Sequence, residues 1–112
     1  MRRRPALLAA LLLAAGRAWA QAGETPAPAR QAELVRMVRQ DCGSCHGIRL
    51  TGGLGPALTR DALRAIPQDS LAAVIYHGRP GTPMPGWKTL LSEADAAWIA
   101  RQLHAGFPLE NP

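Results

Sequence analysis

The 112-residue sequence contains only two cysteines, one lysine, one tyrosine and one phenylalanine. No segment alternates apolar and polar residues with a period of two, which is the pattern of a half-buried β-strand. No apolar run reaches the roughly 20 residues that a membrane-spanning helix requires. We therefore expect one small helical domain with no β-sheet.

The net charge of +5 does not indicate a nucleic-acid partner, because much of the positive charge lies at the N-terminus. Four of the 13 basic residues fall within residues 1–20, and the remaining nine nearly balance the eight acidic residues. No basic patch with interleaved aromatic residues is left, so we expect no nucleic-acid binding.

Residues 1–20 have the three parts of a secretory signal peptide. Residues 2–4 are arginines, residues 6–15 are all alanine or leucine, and Ala18-Trp19-Ala20 matches a cleavage site. A retained membrane anchor is the alternative, but the apolar run is too short for a span. We predict cleavage before Gln21, export to the periplasm and no stable membrane anchor.

The rest of the chain is predicted to form a leader, one domain and a tail. Residues 21–30 are rich in proline, glycine and alanine and read as a flexible leader. Residues 31–107 form the domain, and residues 108–112 form the tail. Within the domain, apolar periodicity and the glycine- and proline-rich stretches predict three to five helices and two loops. The helices lie at 30–40, within 57–65, at 69–77 and at 92–104, and the loops at 43–56 and 78–86.

Cys42-Gly43-Ser44-Cys45-His46 is a C-x-x-C-H sequence and predicts covalent attachment of one haem c. The two thiols reach the two vinyl groups of one porphyrin, and His46 is carried beneath the ring as an axial ligand of the iron. A haem also supplies apolar surface to a chain with few large apolar residues, so we expect the haem-free chain to be largely unfolded.

Three other interpretations of the cysteine pair fit the sequence less well than haem attachment. A disulfide across two residues closes a very small loop and removes little entropy from the unfolded chain. A thiol–disulfide oxidoreductase has its first cysteine at a helix start in a fold with strands, whereas this pair follows a predicted helix. Zinc requires more ligands at close spacing, and His77 and His104 are scattered.

Met84 is the predicted second axial ligand. It lies 38 residues after His46, between two prolines, in a loop long enough to reach the opposite haem face. His77 is the runner-up, Met37 is expected in the core, and His104 is expected to be exposed near the end of the last helix. A methionine ligand favours reduced iron and raises the reduction potential.

These residues resemble those of class I cytochromes c. The resemblance rests on the C-x-x-C-H motif, then Gly55-Pro56-Ala57-Leu58, then Thr82-Pro83-Met84-Pro85, and it covers about residues 31–107. It implies that the Pro56 carbonyl binds the ring of His46 and fixes its tautomer. It also implies that the first and last helices cross, placing one apolar set against another: Leu34, Val35 and Val38 against Trp98, Ile99 and Leu103.

Residues 52–58 and 78–85 are further similar to the small cytochromes c55x of denitrifying bacteria. That resemblance implies periplasmic redox partners, such as a cytochrome cd-type nitrite reductase or the proteins that mature its haem. The lysine ring of mitochondrial cytochromes is missing, so docking is expected to be apolar or to use Arg79 and Lys88. Candidate haem or propionate contacts are Arg79, Trp87, Arg49, Arg60 and Arg64.

Three functions are compatible with these residues. An electron carrier has both axial positions of the iron filled and needs no catalytic residue. A ligand-binding haem enzyme requires Met84 to be absent from the iron or displaceable. An assembly factor for a partner's haem depends more on docking than on turnover. Met84 favours the carrier over the enzyme, and the sequence does not separate the carrier from the assembly factor.

Overall fold

The computed structural model describes residues 25–107, so the predicted signal peptide and tail lie outside the described residues. Within 25–107 it contains five α-helices, one π-helical turn and no β-strand, which confirms the all-α fold class. The elements are α1 (Pro28–Met37), the π turn (Val38–Cys42), α2 (Gly43–His46), α3 (Arg60–Leu63), α4 (Gln68–His77) and α5 (Glu93–His104). None of the described helices is long and apolar enough to cross a membrane.

Helix α1 begins at Pro28, inside the segment that is predicted to be a flexible leader. Proline suits the first turn of a helix, because the N–H that it lacks would have no intrahelical partner there. The backbone N–H of Gln31 donates to the Ala27 carbonyl at 2.9 Å, and its side chain donates to the Pro26 carbonyl at 2.8 Å. The helix therefore starts two residues before its predicted start at residue 30, and residues 28 and 29 of the predicted leader are helical.

The helical segment runs without a break from α1 through the π turn to the end of α2. The sequence predicts that a loop starts at Gly43, but Gly43 has helical dihedral angles (φ −61°, ψ −24°). The segment ends at Gly47, whose φ of 90° favours glycine. A Cβ at Gly47 would also lie 2.7 Å from the carbonyl oxygen of Gly52. The C-x-x-C-H motif is therefore helical, and the loop starts after it.

The core brings α1, the π turn, α3, α4 and α5 together with two loop residues, Leu50 and Leu91. Helix α5 packs against α4 and α3. The buried hydrophobic residues of the described chain are Leu34, Val38, Leu50, Leu63, Leu71, Ile75, Leu91, Ala96, Trp98, Ile99, Ala100 and Leu103. Five of the six residues expected at the crossing of the first and last helices belong to this cluster, and Val35 packs against it half-buried.

A buried carboxylate ties α1 to the start of α5. Ser92 caps the N-terminus of α5 in a capping box: its hydroxyl accepts from the Asp95 N–H at 3.0 Å, and its own N–H donates to Asp95 Oδ2 at 3.1 Å. The same Oδ2 accepts hydrogen bonds from Arg30 Nη2 at 2.8 Å and Nε at 3.3 Å. Arg30 also donates to the Leu90 carbonyl at 2.9 Å. One side chain therefore caps a helix and joins two helices.

The hydrogen bonds to Asp95 determine how its charge affects stability. Burial raises the pKa of Asp95, but the hydrogen bonds from Arg30 and Ser92 outweigh burial, and the pKa lies below its usual value. A carboxylate with a lowered pKa in the folded state stabilises the fold fully above its unfolded pKa of about 3.9. That contribution is lost as the pH falls through the folded pKa.

Replacing Asp95 with asparagine is expected to lower the free energy of unfolding by about 1–2 kcal/mol at neutral pH, because the charged hydrogen bonds to Arg30 are lost. The variant should also lose less stability than the native protein between about pH 5 and pH 2. Urea unfolding of the haem-loaded proteins, followed by circular dichroism, measures both effects. Asp61→Asn, at an exposed site on α3, is the control. An unchanged pH dependence in the Asp95 variant would contradict the assigned role.

Candidate functional site

The helical segment buries the histidine of the motif and leaves its two thiols nearer the surface. His46 is 9% exposed, Cys42 is half-buried and Cys45 is exposed. Both cysteines are free thiols in the structure. The three residues that the sequence predicts to bind haem are therefore held by one continuous helix, with the imidazole directed inward.

The environment of Cys42 does not suit a nucleophilic thiol. Burial raises the pKa of Cys42 to about 11, and the nearby Asp41 carboxylate acts in the same direction. Catalytic thiols of disulfide oxidoreductases have a lowered pKa, which keeps them ionised near neutral pH. The structure therefore argues against the oxidoreductase interpretation of the cysteine pair.

Residues 47–58, called the strap below, fold back over the end of α2. The Gly52 N–H donates to the His46 carbonyl at 2.8 Å, and the Gly55 N–H donates to the Cys45 carbonyl at 2.7 Å. A Cβ at Gly53 would lie 2.8 Å from the Cys45 carbonyl oxygen, and a Cβ at Gly55 would lie 2.8 Å from the imidazole of His46. Glycine at these positions lets the strap backbone lie directly against the helix end and the ring.

The strap fixes which nitrogen of His46 can bind a metal. Nδ1 of His46 lies 2.7 Å from the carbonyl oxygen of Pro56. A carbonyl only accepts hydrogen bonds, so Nδ1 carries the proton and Nε2 keeps its lone pair. The Pro56 carbonyl therefore lies where the resemblance to class I cytochromes c places it.

Met84 lies in residues 78–86, called the Met loop below, whose two ends touch backbone to backbone. A Cβ at Gly78 would lie 2.5 Å from the Gly86 nitrogen, and a Cβ at Gly86 would lie 2.7 Å from the His77 carbonyl. Within the loop, the Arg79 N–H donates to the Met84 carbonyl at 3.2 Å. Met84 is half-buried, and the two glycines allow the loop ends to close beneath it.

The other candidate ligands occupy different surroundings. Met37 is half-buried and packs against the core, which confirms its expected place. His77 is exposed at the end of α4, and Tyr76 contacts it edge to face at 4.8 Å between ring centroids. His104 is half-buried, and its Nε2 is buried with no hydrogen-bond partner among the described residues. The expectation of an exposed His104 is wrong, because the last turn of α5 packs into the protein through Leu103.

The candidate propionate contacts are dispersed. Arg79 and Arg64 are exposed, and Trp87 is half-buried against the core. Arg49 and Arg60 line a separate cleft of about 180 Å³ with Leu50, Leu58 and Phe107 among the other lining residues. Arg60 donates to the Ala105 carbonyl at the end of α5. Two of the five candidates therefore face this cleft, on the side of the strap that holds Leu58.

The donor set fits a haem. Two free thiols, an imidazole with an available Nε2 and a thioether in a closed loop are the groups that a c-type haem with histidine and methionine ligands uses. Leu54 is 94% exposed between two strap glycines, so apolar surface is present beside His46. In the described chain, no three His, Cys, Asp or Glu side chains are arranged to hold a metal ion, which leaves the zinc interpretation without a ligand set there.

Residues 29–101 match the protein family described as cytochrome C oxidase, cbb3-type, subunit III. The chain is also 60% identical over 83 residues to cytochrome c55X of Stutzerimonas stutzeri, and this match covers 74% of each protein. The family match therefore covers the whole site, from α1 before the C-x-x-C-H motif to α5.

Two solved structures are similar in fold. The c-type cytochrome NirC superposes with a TM-score of 0.70 at 57% identity, over 71% of this chain and 94% of that one. The dihydro-heme d1 dehydrogenase NirN in complex with DHE superposes with a TM-score of 0.60 at 35% identity, over 69% of this chain and 17% of that one. The likeness to the dehydrogenase is thus confined to a small part of that enzyme.

Replacing Gly86 with alanine is expected to displace Met84, because the added methyl would meet the His77 carbonyl and force the loop ends apart. Gly81→Ala is the matched control: its φ of 78° adds strain, but a Cβ there has no neighbour within 4 Å. Both variants should keep covalent haem, and only Gly86→Ala should weaken the absorption band of a methionine–iron bond. Equal bands in the two variants would show that closure of the loop base does not hold Met84.

Proposed function

We propose that this chain, which belongs to the cytochromes c55X within the c-type cytochromes and so holds covalently bound haem c, carries single electrons between periplasmic redox proteins. Haem c, when bound, supplies an iron that gains or loses one electron. We assign Cys42 and Cys45 as the residues that tether it through thioether bonds. We assign a catalytic role to no residue.

The observation that carries the proposal is the hydrogen bond between His46 Nδ1 and the Pro56 carbonyl. It fixes the proton on Nδ1, orients the ring and makes Nε2 a better electron donor to iron. His46 is buried in α2 and covered by the strap, so its ring has little freedom to leave. We therefore propose His46 as a permanent axial ligand.

Met84 is proposed as the second axial ligand. The Met loop closes at its base through Gly78 and Gly86, so the loop does not depend on the haem alone for its shape. With both axial positions filled, the iron has no open position for a substrate, which suits transfer of electrons rather than chemistry on a bound molecule. A thioether ligand also stabilises reduced iron and raises the potential.

The surface around the Met loop is proposed as the docking face. Residues 78–92 contain two cationic residues, Arg79 and Lys88, and no acidic residue. Both cations are exposed, as are Pro83 and Pro85. An apolar surface with positive charge beside it suits an acidic partner, because complementary charge speeds encounter while apolar contact limits desolvation cost. We propose a cytochrome cd-type nitrite reductase of denitrification as one such partner.

A second candidate function is maturation of a partner's haem. Part of the dihydro-heme d1 dehydrogenase NirN superposes on 69% of this chain. A dehydrogenation releases electrons that an acceptor must remove, and a domain of this kind accepts them one at a time. We propose that the chain also accepts electrons from such a dehydrogenase, a role that needs the same site and a different partner. The signal peptide predicted at residues 1–20 would place both roles in the periplasm.

Replacing Met84 with alanine is expected to leave haem attached and to open the sixth coordination position. The reduced variant should bind carbon monoxide, whereas the native protein should not, and the methionine–iron band should disappear. Met37→Leu is the control, because it removes a methionine from the core at nearly constant volume. Carbon monoxide binding by the native protein would favour the ligand-binding enzyme, and an unchanged spectrum in Met84→Ala would remove Met84 as a ligand.

Neutralising both docking cations, Arg79→Gln with Lys88→Gln, is expected to slow electron transfer to the nitrite reductase by about five- to tenfold at low salt. The difference should fade as salt screens the charges. The matched control, Arg36→Gln with Arg64→Gln, changes the net charge equally at two other exposed sites. Stopped-flow rates at several ionic strengths measure the effect. Equal slowing in the two double variants would place the docking face elsewhere.

A further inference from the structure

The helical segment that carries the site, residues 28–46, contains one residue more than a regular α-helix with the same number of turns. The Gly43 N–H donates to the Val38 carbonyl, five residues back, and residues 38–42 form the π turn. A π turn inside an α-helix inserts a residue and rotates everything after it relative to everything before it. Its place here is directly before the C-x-x-C-H motif.

The burial pattern shows the effect of the extra residue. The buried positions along the segment are Leu34, Val38, Gly43 and His46, separated by four, five and three residues. A continuous α-helix repeats its buried face every three or four residues, so the interval of five needs the π turn. Gly43 therefore occupies the place beneath Val38 that residue 42 would otherwise take.

An uninterrupted α-helix would give this sequence a different site. Counting from Val38 at about 100° per residue, the positions on the core face would be Cys42 and Cys45. His46 would be turned about 80° away from Val38. Its ring would then leave the Pro56 carbonyl, and the strap bonds to the carbonyls of Cys45 and His46 would be misaligned.

We propose that the π turn sets the rotational register of the motif in the folded, haem-loaded protein. By absorbing one residue, it turns His46 to the core side, where Nδ1 meets the Pro56 carbonyl, and leaves Cys42 half-buried and Cys45 exposed. This inference rests on the haem-binding roles proposed above for Cys42, Cys45 and His46. The turn acts as a positioning element, and its side chains need not touch the haem.

Two length variants test the register. Deleting Gln40 removes the extra residue, and an ordinary α-helix then still places Gly43 beneath Val38, so covalent haem and the methionine–iron band should be retained. Inserting one alanine after Gln40 turns the motif by about a further 100°, so covalent haem should be retained but the methionine–iron band should fall below about a tenth of its native intensity. An alanine inserted between Ala65 and Ile66, both exposed, is the control for an added residue.

The full chain is exported in a host that attaches haem, and covalent haem per chain and the visible spectrum are measured. Retention of the methionine–iron band in the deletion and its loss in the insertion support the register. Loss in both variants would mean that the π turn itself is required, and retention in both would mean that register is unimportant; either overturns the inference, as does the reverse pattern. If the native chain carries no covalent haem, the proposed function fails instead.

Discussion

The direction of the His46 ring is the constraint on which the rest of the site depends. The helix that carries His46 is anchored in the core by Leu34 and Val38, and the π turn brings the ring to the same side. The strap then approaches so closely that only glycine fits at two positions, and the Pro56 carbonyl oxygen accepts a hydrogen bond from Nδ1 at 2.7 Å. Together these contacts fix the orientation of the imidazole ring and leave only Nε2 available to a metal.

That constraint needs a fixed frame, which the contact between the first and last helices provides. Arg30 reaches from α1 to Asp95 in the capping box of α5, and Leu34 of α1 and Ile99 of α5 belong to the same buried hydrophobic cluster. The polar tie and the apolar contact act at different ends of α1. A helix held at both places cannot slide or rotate easily, so the motif at its C-terminal end keeps its orientation.

The sequence predicts the parts of the protein that follow from local pattern. Helical spacing locates α1, α4 and α5, and the capping box at Ser92 is visible because its two residues are three apart. The C-x-x-C-H motif and the proline-flanked Met84 indicate a haem because few other groups need those residues at that spacing. These signals involve neighbours in sequence, or a motif whose chemistry is known.

The features that the sequence does not predict depend on contacts between distant residues or on competition between two helical forms. Arg30 and Asp95 are 65 residues apart, and nothing in either neighbourhood marks them as partners. The burial of His104 depends on how the last turn of α5 packs. The π turn is the most difficult feature to predict, because residues 38–42 have ordinary helix-forming character. Only the burial of both Val38 and His46 requires a helical turn of five residues in place of four. Gly55 could have been anticipated, since a glycine directly before the histidine-binding proline has little other purpose.

The same geometry explains why an electron carrier and a participant in haem maturation need not be different proteins. Both proposed roles would use the same haem site, and His46 is held in that site by groups on the strap. In the proposed docking face, Arg79 and Lys88 lie beside exposed prolines, and residues 78–92 contain no acidic residue. Cys42, Cys45 and His46 lie outside that face, so the docking cations can change without altering how the strap holds His46. A domain of this kind can therefore serve alone or as a small part of a larger enzyme, as the superposition on 17% of a dehydrogenase illustrates.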